Sequence, residues 1–162
     1  MKTFACLIAC LVIFDSSDLL AADKPAAPKG KLQSIQGVGE ATEKKLVAAG
    51  VSNVDQLLET GSTPKGRKEL AEKSGVSETQ ILKFVNYADL FRIKGVAGQN
   101  AELLEAAGDD SVAELAKRNP ANLTAKLKEV NAAKKLSGNM PGEKQVTEWI
   151  AAAKALPKKI QY

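Results

Sequence analysis

The chain has 162 residues, of which 44% are hydrophobic, 26% charged and 4% aromatic, with a formal net charge of +4 and no histidine. That apolar content excludes wholesale disorder, and the length suits one ordinary domain or two small repeats. Both cysteines, Cys6 and Cys10, lie in the first ten residues; beyond them thiol, imidazole and disulfide chemistry are excluded, and a metal would have to be a hard cation held by oxygens.

The chain opens with Lys2, an uninterrupted apolar run over residues 4–14 (FACLIACLVIF), and then DSSDLLAA ending in Ala21 and Ala22. Basic, apolar, then polar with small residues at the cut is the order of a secretory signal peptide. A helix of that apolar run would be about 16 Å long, roughly half a bilayer's hydrocarbon core, so it is too short to span. A buried N-terminal helix is the alternative, but the run offers no polar face. Leu7-Ile8-Ala9-Cys10 has the form of a lipoprotein processing site, yet the apolar run continues past Cys10 where a polar tether should begin. The expectation is a signal peptide over 1–22, a Pro-bearing linker over 23–31, and a periplasmic or secreted product with no membrane span. Without residues 1–22 the balance is 22 basic against 17 acidic, which permits an anionic partner without demanding one.

A repeat organises the rest. At an offset of 58, residues 35–58 lie on 93–116 without a gap, and nine of the 24 positions are identical, among them Gly37/Gly95, Val38/Val96, Leu46/Leu104 and Gly50/Gly108. Average composition would give about one or two. The match resumes at an offset of 65, where Phe84-Val85 meets Trp149-Ile150 and Ala88 meets Ala153, so the second copy gains about seven residues between 131 and 141.

Each copy reads as helices joined by short turns, without strand alternation. In the first, Gly37-Val38-Gly39 opens a helix that stops at Gly50, Ser52 caps the next, and Thr63-Pro64 starts a third that Gly75 closes. Ser77 to Gln80 is a capping box for a fourth, whose buried stripe is Ile81, Phe84, Val85, Ala88 and Phe91. In the second, Gly108 ends a helix, Ser111 to Glu114 is a capping box, and Asp109-Asp110 is a helix-start signal rather than a calcium loop. The last long helix turns Val146, Trp149, Ile150 and Ala153 inward and is followed by Pro157. The expected architecture is all-α: a first helical repeat over 32–92 with its hairpin at 35–39, a second over 93–157 with its hairpin at 93–98, and a tail over 158–162, packed as one domain.

The turn Ile35-Gln-Gly37-Val38-Gly39, with the helix that follows, resembles the helix-hairpin-helix motif. In that motif two glycines allow backbone geometry forbidden to other residues, a valine plugs the space between helices, and the unpaired amides of the second helix face a nucleic-acid phosphate. Residues 31–156 are similar to a bacterial domain-of-unknown-function family built as two linked helix-hairpin-helix units. The marks are Ile35-Gln-Gly-Val-Gly39, Thr63-Pro-Lys-Gly-Arg-Lys-Glu-Leu-Ala71, Ala88-Asp-Leu-Phe-Arg-Ile-Lys-Gly-Val96, Leu103-Leu-Glu-Ala-Ala-Gly108, Arg118-Asn-Pro-Ala-Asn122 and Trp149. The resemblance implies the fold and nucleic-acid binding, and secreted proteins similar in kind act as surface DNA receptors. Two departures stand out. Glu40 and Glu43 follow the first turn where a lysine or arginine is usual, and the second turn has Ala97 in place of the second glycine.

Charge is uneven. Residues 35–58 sum to −1 and 93–116 to −4, whereas 117–136 carry Lys117, Arg118, Lys126, Lys128, Lys134 and Lys135 against Glu129 alone. Lys65, Arg67, Lys68 and Lys73 form a lesser group offset by Glu69 and Glu72. With Leu123, Leu127 and Val130 inward, Lys126 and Lys128 reach solvent, as either a plain solvated face or an anion-binding patch. Phe84, Tyr87, Phe91 and Trp149 fall at core spacing, so no stacking platform for single strands is expected. The reading is a non-enzymatic binding module for DNA or RNA phosphates, without base specificity, cofactor, metal or catalytic residues. Its site would be Gly37, Val38, Gly39, Lys44, Lys45, Lys117, Arg118, Lys126, Lys128, Lys134 and Lys135. The alternative is a protein-interaction or scaffold module that no longer binds nucleic acid.

Overall fold

Side chains that cap helix starts and glycines that end them divide residues 30–162, the part described in this computed structural model, into eight α-helices and one 3-10 turn, with no strand among them. The expected signal peptide and nearly all of the linker lie outside the described residues. After the 3-10 turn Leu32–Ser34 come α1 (Glu40–Ala48), α2 (Val54–Gly61), α3 (Pro64–Ser74), α4 (Glu78–Leu90), α5 (Gln99–Ala106), α6 (Val112–Leu115), α7 (Pro120–Lys134) and α8 (Glu143–Ala155). None is long and apolar enough to cross a membrane.

Half of the α-helix starts follow local side-chain chemistry. Thr63, Ser77 and Asn119 accept hydrogen bonds from the backbone N–H three residues on, at 3.1, 3.3 and 3.2 Å, and prolines occupy the first position of α3 and α7. These side chains satisfy donors that the first helical turn leaves open. The cap of α2 is Asn53 rather than Ser52: its side chain accepts from Gln56 N at 2.9 Å, while Gln56 Oε1 accepts from Ser52 N at 2.8 Å. The helix therefore starts one residue later than expected, with Ser52 outside its cap.

The two segments superpose in their hydrogen bonding. Ile35 N donates to Leu32 O and Ile93 N to Leu90 O, each at 3.0 Å; Val38 N to Ile35 O and Val96 N to Ile93 O repeat at 3.0 Å. Gly37 and Gly95 have φ of 89° and 87°, and Gly50 and Gly108 have 92° and 90°. A Cβ on Gly37 would lie 3.4 Å from the Phe84 ring, and one on Gly95 3.2 Å from Trp149 Nε1, so each turn presses bare backbone onto the aromatic residue at the same place in α4 and α8. Helix neighbours recur likewise: α1 on α3 and α5 on α7, α2 on α4 and α6 on α8, α3 on α4 and α7 on α8. The end of α4 stands to α5 as the 3-10 turn stands to α1. One hydrophobic core therefore runs through both segments, from Leu32 to Ile160, and contains every apolar residue expected to face inward on α4, α7 and α8.

Gly75 and Lys135 end α3 and α7 in left-handed conformation and stand 60 residues apart, whereas α4 and α8 start 65 apart. The net gain of seven residues has three parts: α7 is four residues longer than α3, five more follow its cap, and two fewer precede its start, since Pro64 and Pro120 are 56 apart. Asn131 holds that added loop by donating to Ser137 O at 2.9 Å and accepting from Ser137 N at 2.8 Å.

Two further expectations are corrected. Gly39 has φ −82° and ψ 175°, extended backbone open to any residue, and nothing lies within 4 Å of its would-be Cβ; only the first glycine of that turn is conformationally required. Ser111 does not cap α6: its hydroxyl is buried without a hydrogen-bond partner among the described residues, and Glu114 Oε2 accepts from Asp110 N at 3.3 Å instead. Asp89, from the end of α4, accepts from Val112 N at 3.0 Å and does the capping. In the tail, residues 158–162, Ile160 is buried and Gln161 N donates to Ser62 O at 2.8 Å.

Placing the same side chain at both glycines of the first turn separates their roles. Gly37→Ser is expected to cost about 1–2 kcal/mol, since its φ is forbidden to L residues. Gly39→Ser adds a capping hydroxyl at an open site and should leave stability unchanged or raise it by about 0.5 kcal/mol. Urea denaturation of both variants checks this.

Candidate functional site

In the first glycine turn, Val38 is 5% exposed and fills the core as expected. Its N–H, however, is held by Ile35 O, so it is not among the amides open to a phosphate. Gly39 brings no side chain to cap α1, which leaves the first-turn amides open. Two carboxylates stand over them: Glu40, paired with Lys44 at 2.7 Å, and Glu43, which accepts from Gln33 Nε2. Both acids favour the positive helix end themselves and repel a phosphate there. Lys45 is exposed in the last turn of α1, away from that start.

The cations of the 117–136 segment divide into two sets. Lys117, Arg118 and Lys126 line a half-open cleft of about 490 Å³ where the end of α5 meets the start of α7. Asn119, the cap of α7, and Asn122, in its first turn, line it too, with Ala107 and Leu123 as apolar wall. Lys126 also meets Glu129 at 3.1 Å, an exposed pair of little energetic weight. Lys128, Lys134 and Lys135 are exposed farther along α7 and do not line the cleft, nor do Gly37, Val38, Gly39, Lys44 or Lys45. The lesser group on α3 loses Arg67, which is 4% exposed and donates to Gly61 O at 3.0 Å.

Arg118 does not swing freely in the cleft. Its Nε donates to Asp109 Oδ1 at 2.5 Å and its Nη2 to Gly108 O at 3.1 Å. Asp109 is fully buried, and its Oδ2 has no hydrogen-bond partner among the described residues. Burial pushes the Asp109 carboxyl above the ordinary range; Arg118 pulls it back, and Glu114 pushes the same way as burial. The expected helix-start role for Asp109 is thus replaced by an ion pair between a buried acid and a half-exposed arginine. The place of Asp109, 58 residues after Val51, was the available signal: a charge stands where the first segment has a core residue.

A second missed residue is Asp89. Besides capping α6 it accepts from Arg92 Nη1 at 2.6 Å, and Arg92 Nη2 donates to Pro157 O at 3.1 Å. That pair ties α4, α6 and the segment after α8 together. On the acidic side, Tyr87 OH donates to Glu105 Oε2 at 2.7 Å and Lys83 meets Glu105 Oε1 at 3.0 Å. Burial first, and then Glu105, raise the Tyr87 hydroxyl well above its ordinary value, so it stays a neutral donor. Asp110 is also raised, by burial and then by Glu114, Glu105 and Asp109.

A family profile described as Domain of unknown function (DUF4332) matches residues 36–156. The chain belongs to that family. Among curated proteins and among solved structures, nothing matches the chain. The DUF4332 span runs from inside the first glycine turn to Leu156, the residue that ends α8. It therefore takes in all eight helices, both turns and the cationic cleft.

Raised carboxyls give a pH signature. The folded chain holds these protons to higher pH than the unfolded chain, so ionising them subtracts stability at neutral pH. That loss vanishes as pH falls to the ordinary value of 3.8. Asp110→Asn is expected to raise Tm at pH 7 by roughly 1–3 °C and to lose that advantage in acid. Thermal melts at neutral and acid pH check the sign.

Proposed function

We propose that this chain is an exported, non-enzymatic helical module that binds nucleic-acid phosphates weakly and without reading base sequence. The observation that carries the reading is the convergence of Lys117, Arg118 and Lys126 on one cleft at the start of α7, with Lys128, Lys134 and Lys135 exposed farther along the same helix. Neutralising phosphates releases counterions, and this supplies the affinity of sequence-independent binding. Base readout has no support, since Phe84, Tyr87 and Trp149 are buried and offer no face for stacking.

We also read the two segments as copied helix-hairpin-helix units. The hydrogen bonds and left-handed glycines that recur 58 residues apart support this. The glycine turns then serve chiefly to cross helices closely, because Glu40 and Glu43 oppose an anion at the first and Trp149 backs the second. Phosphate binding moves to α7. Export rests on the basic, apolar and small-residue order of residues 1–22.

Fluorescence anisotropy of the full chain with random-sequence duplex tests the reading. A Kd of about 1–100 µM near physiological salt is expected, with a log–log salt slope near −2.7 for about three phosphate contacts. Lys117→Ala and Lys126→Ala should each flatten that slope by about 0.9 and act alike on every sequence. Absence of binding tighter than about 0.1 mM at low salt overturns the reading and leaves the scaffold role.

A further inference from the structure

Asp109 and Val51 occupy the same slot in the two segments. Asp109 N donates to Leu104 O at 3.0 Å and Val51 N to Leu46 O at 2.9 Å, and the residues are 0% and 1% exposed. Valine fills this slot at no electrostatic cost. A carboxylate there is costly unless paired, and only one of its oxygens is paired. The partner, Arg118, keeps 46% of its side chain exposed, so the buried acid does little to shelter the pair from water. What it does accomplish is geometric. Together with Gly108 O it takes up Nε and Nη2 and holds the guanidinium plane at the cleft, leaving Nη1 for a ligand.

The charges on the lining, Lys117, Arg118 and Lys126 against Asp109, leave two net positives. A phosphate diester carries one negative charge, whereas a phosphate monoester carries nearly two at neutral pH and three acceptor oxygens. Asn119 and Asn122 add amide donors at the positive end of a 15-residue helix. A volume of about 490 Å³ exceeds a bare phosphate and falls in the range of small-molecule sites.

We propose that the cleft at the start of α7 is a discrete site for a phosphate monoester, with Arg118 as its central ligand and Asp109 as the residue that positions Arg118. The inference rests on the same cationic cleft as the nucleic-acid reading but requires no polymer. On a nucleic acid the group would be a terminal phosphate; alone it would be a phosphorylated small molecule.

The test is a 15N NMR titration of the full chain with methyl phosphate and, separately, dimethyl phosphate. Methyl phosphate should shift the Arg118 Nε–H and the amides of Gly108 and residues 119–122, and its affinity should fall below pH about 6 as the dianion is protonated. Dimethyl phosphate should shift them at least tenfold more weakly. Arg118→Lys, at an exposed position, should lose about tenfold in methyl phosphate affinity, because a point charge replaces the fork. Asp109→Val, which installs the residue of the other segment, should leave Tm equal or higher, release the Arg118 Nε–H resonance to its solvent-exposed position, and weaken methyl phosphate at least fivefold. A 5′-phosphorylated oligonucleotide binding tenfold tighter than its 5′-hydroxyl counterpart identifies the source as a nucleic-acid end; equal binding of the two, with methyl phosphate still bound, identifies a small molecule. Equal shifts by both esters, or none, overturn the site even where duplex binding persists. Methyl phosphate binding without duplex binding keeps the site and overturns the nucleic-acid reading.

Discussion

Two glycines with φ near +90°, each pressed against an aromatic side chain, set the rest of the molecule. A residue with a Cβ at Gly37 or Gly95 would be strained by its own backbone and would crowd Phe84 or Trp149. With hydrogen there, the turn lies directly on the ring, and Val38 or Val96 drops into the core beside it. Each turn thereby anchors the chain entering α1 or α5 against the long helix that ends its half. Because α5 also packs on α7, the second turn decides where the start of α7 meets the end of α5. The cationic cleft forms at that meeting.

The frame repeats, but its decoration does not. The first half keeps Val51 in the core, whereas the second puts Asp109 there and uses it to hold Arg118. In the first half the opening amide of α2 is met by Gly30 O at 3.2 Å; in the second the opening amide of α6 is met by the Asp89 carboxylate. These replacements trade backbone and apolar contacts for buried charge, which costs stability unless the charge is well paired. Asp109 falls in the half that also carries the extended lysine-bearing helix, and Asp89 reaches into that half from the end of α4. Acidic α5 packs on basic α7, and Arg118 lies where the two fields meet.

Helix existence and type were legible throughout. Thr63, Ser77, Pro64, Gly75 and Gly108 act within four residues of themselves, so their roles follow from nearest neighbours. The inward stripes of α4, α7 and α8 follow from periodicity alone. Offset identities announced a shared turn, and the backbone there is the same to within a few degrees of φ. Where local reading failed at Ser111 and Asp109, a charged group from elsewhere in the chain had intervened. Ser111 matched a capping pattern, yet Asp89, 23 residues earlier, reached Val112 first. Asp109 matched a helix start, yet an arginine nine residues later drew it inward.

The site was legible as a list of cations and illegible as a place. Six basic residues between 117 and 135 could be counted, but only folding selects Lys117, Arg118 and Lys126 to share one cleft and sends Lys128, Lys134 and Lys135 elsewhere. By itself the sequence determined the all-helical class, the two glycine turns and the buried faces, because caps, φ preferences and apolar spacing are short-range effects. Tertiary structure alone decided which charges become neighbours, which acid caps which helix, and that residues 158–162 close back on the first half. Such pairings join groups far apart along the chain, and their energies depend on distances and burial that no local pattern encodes.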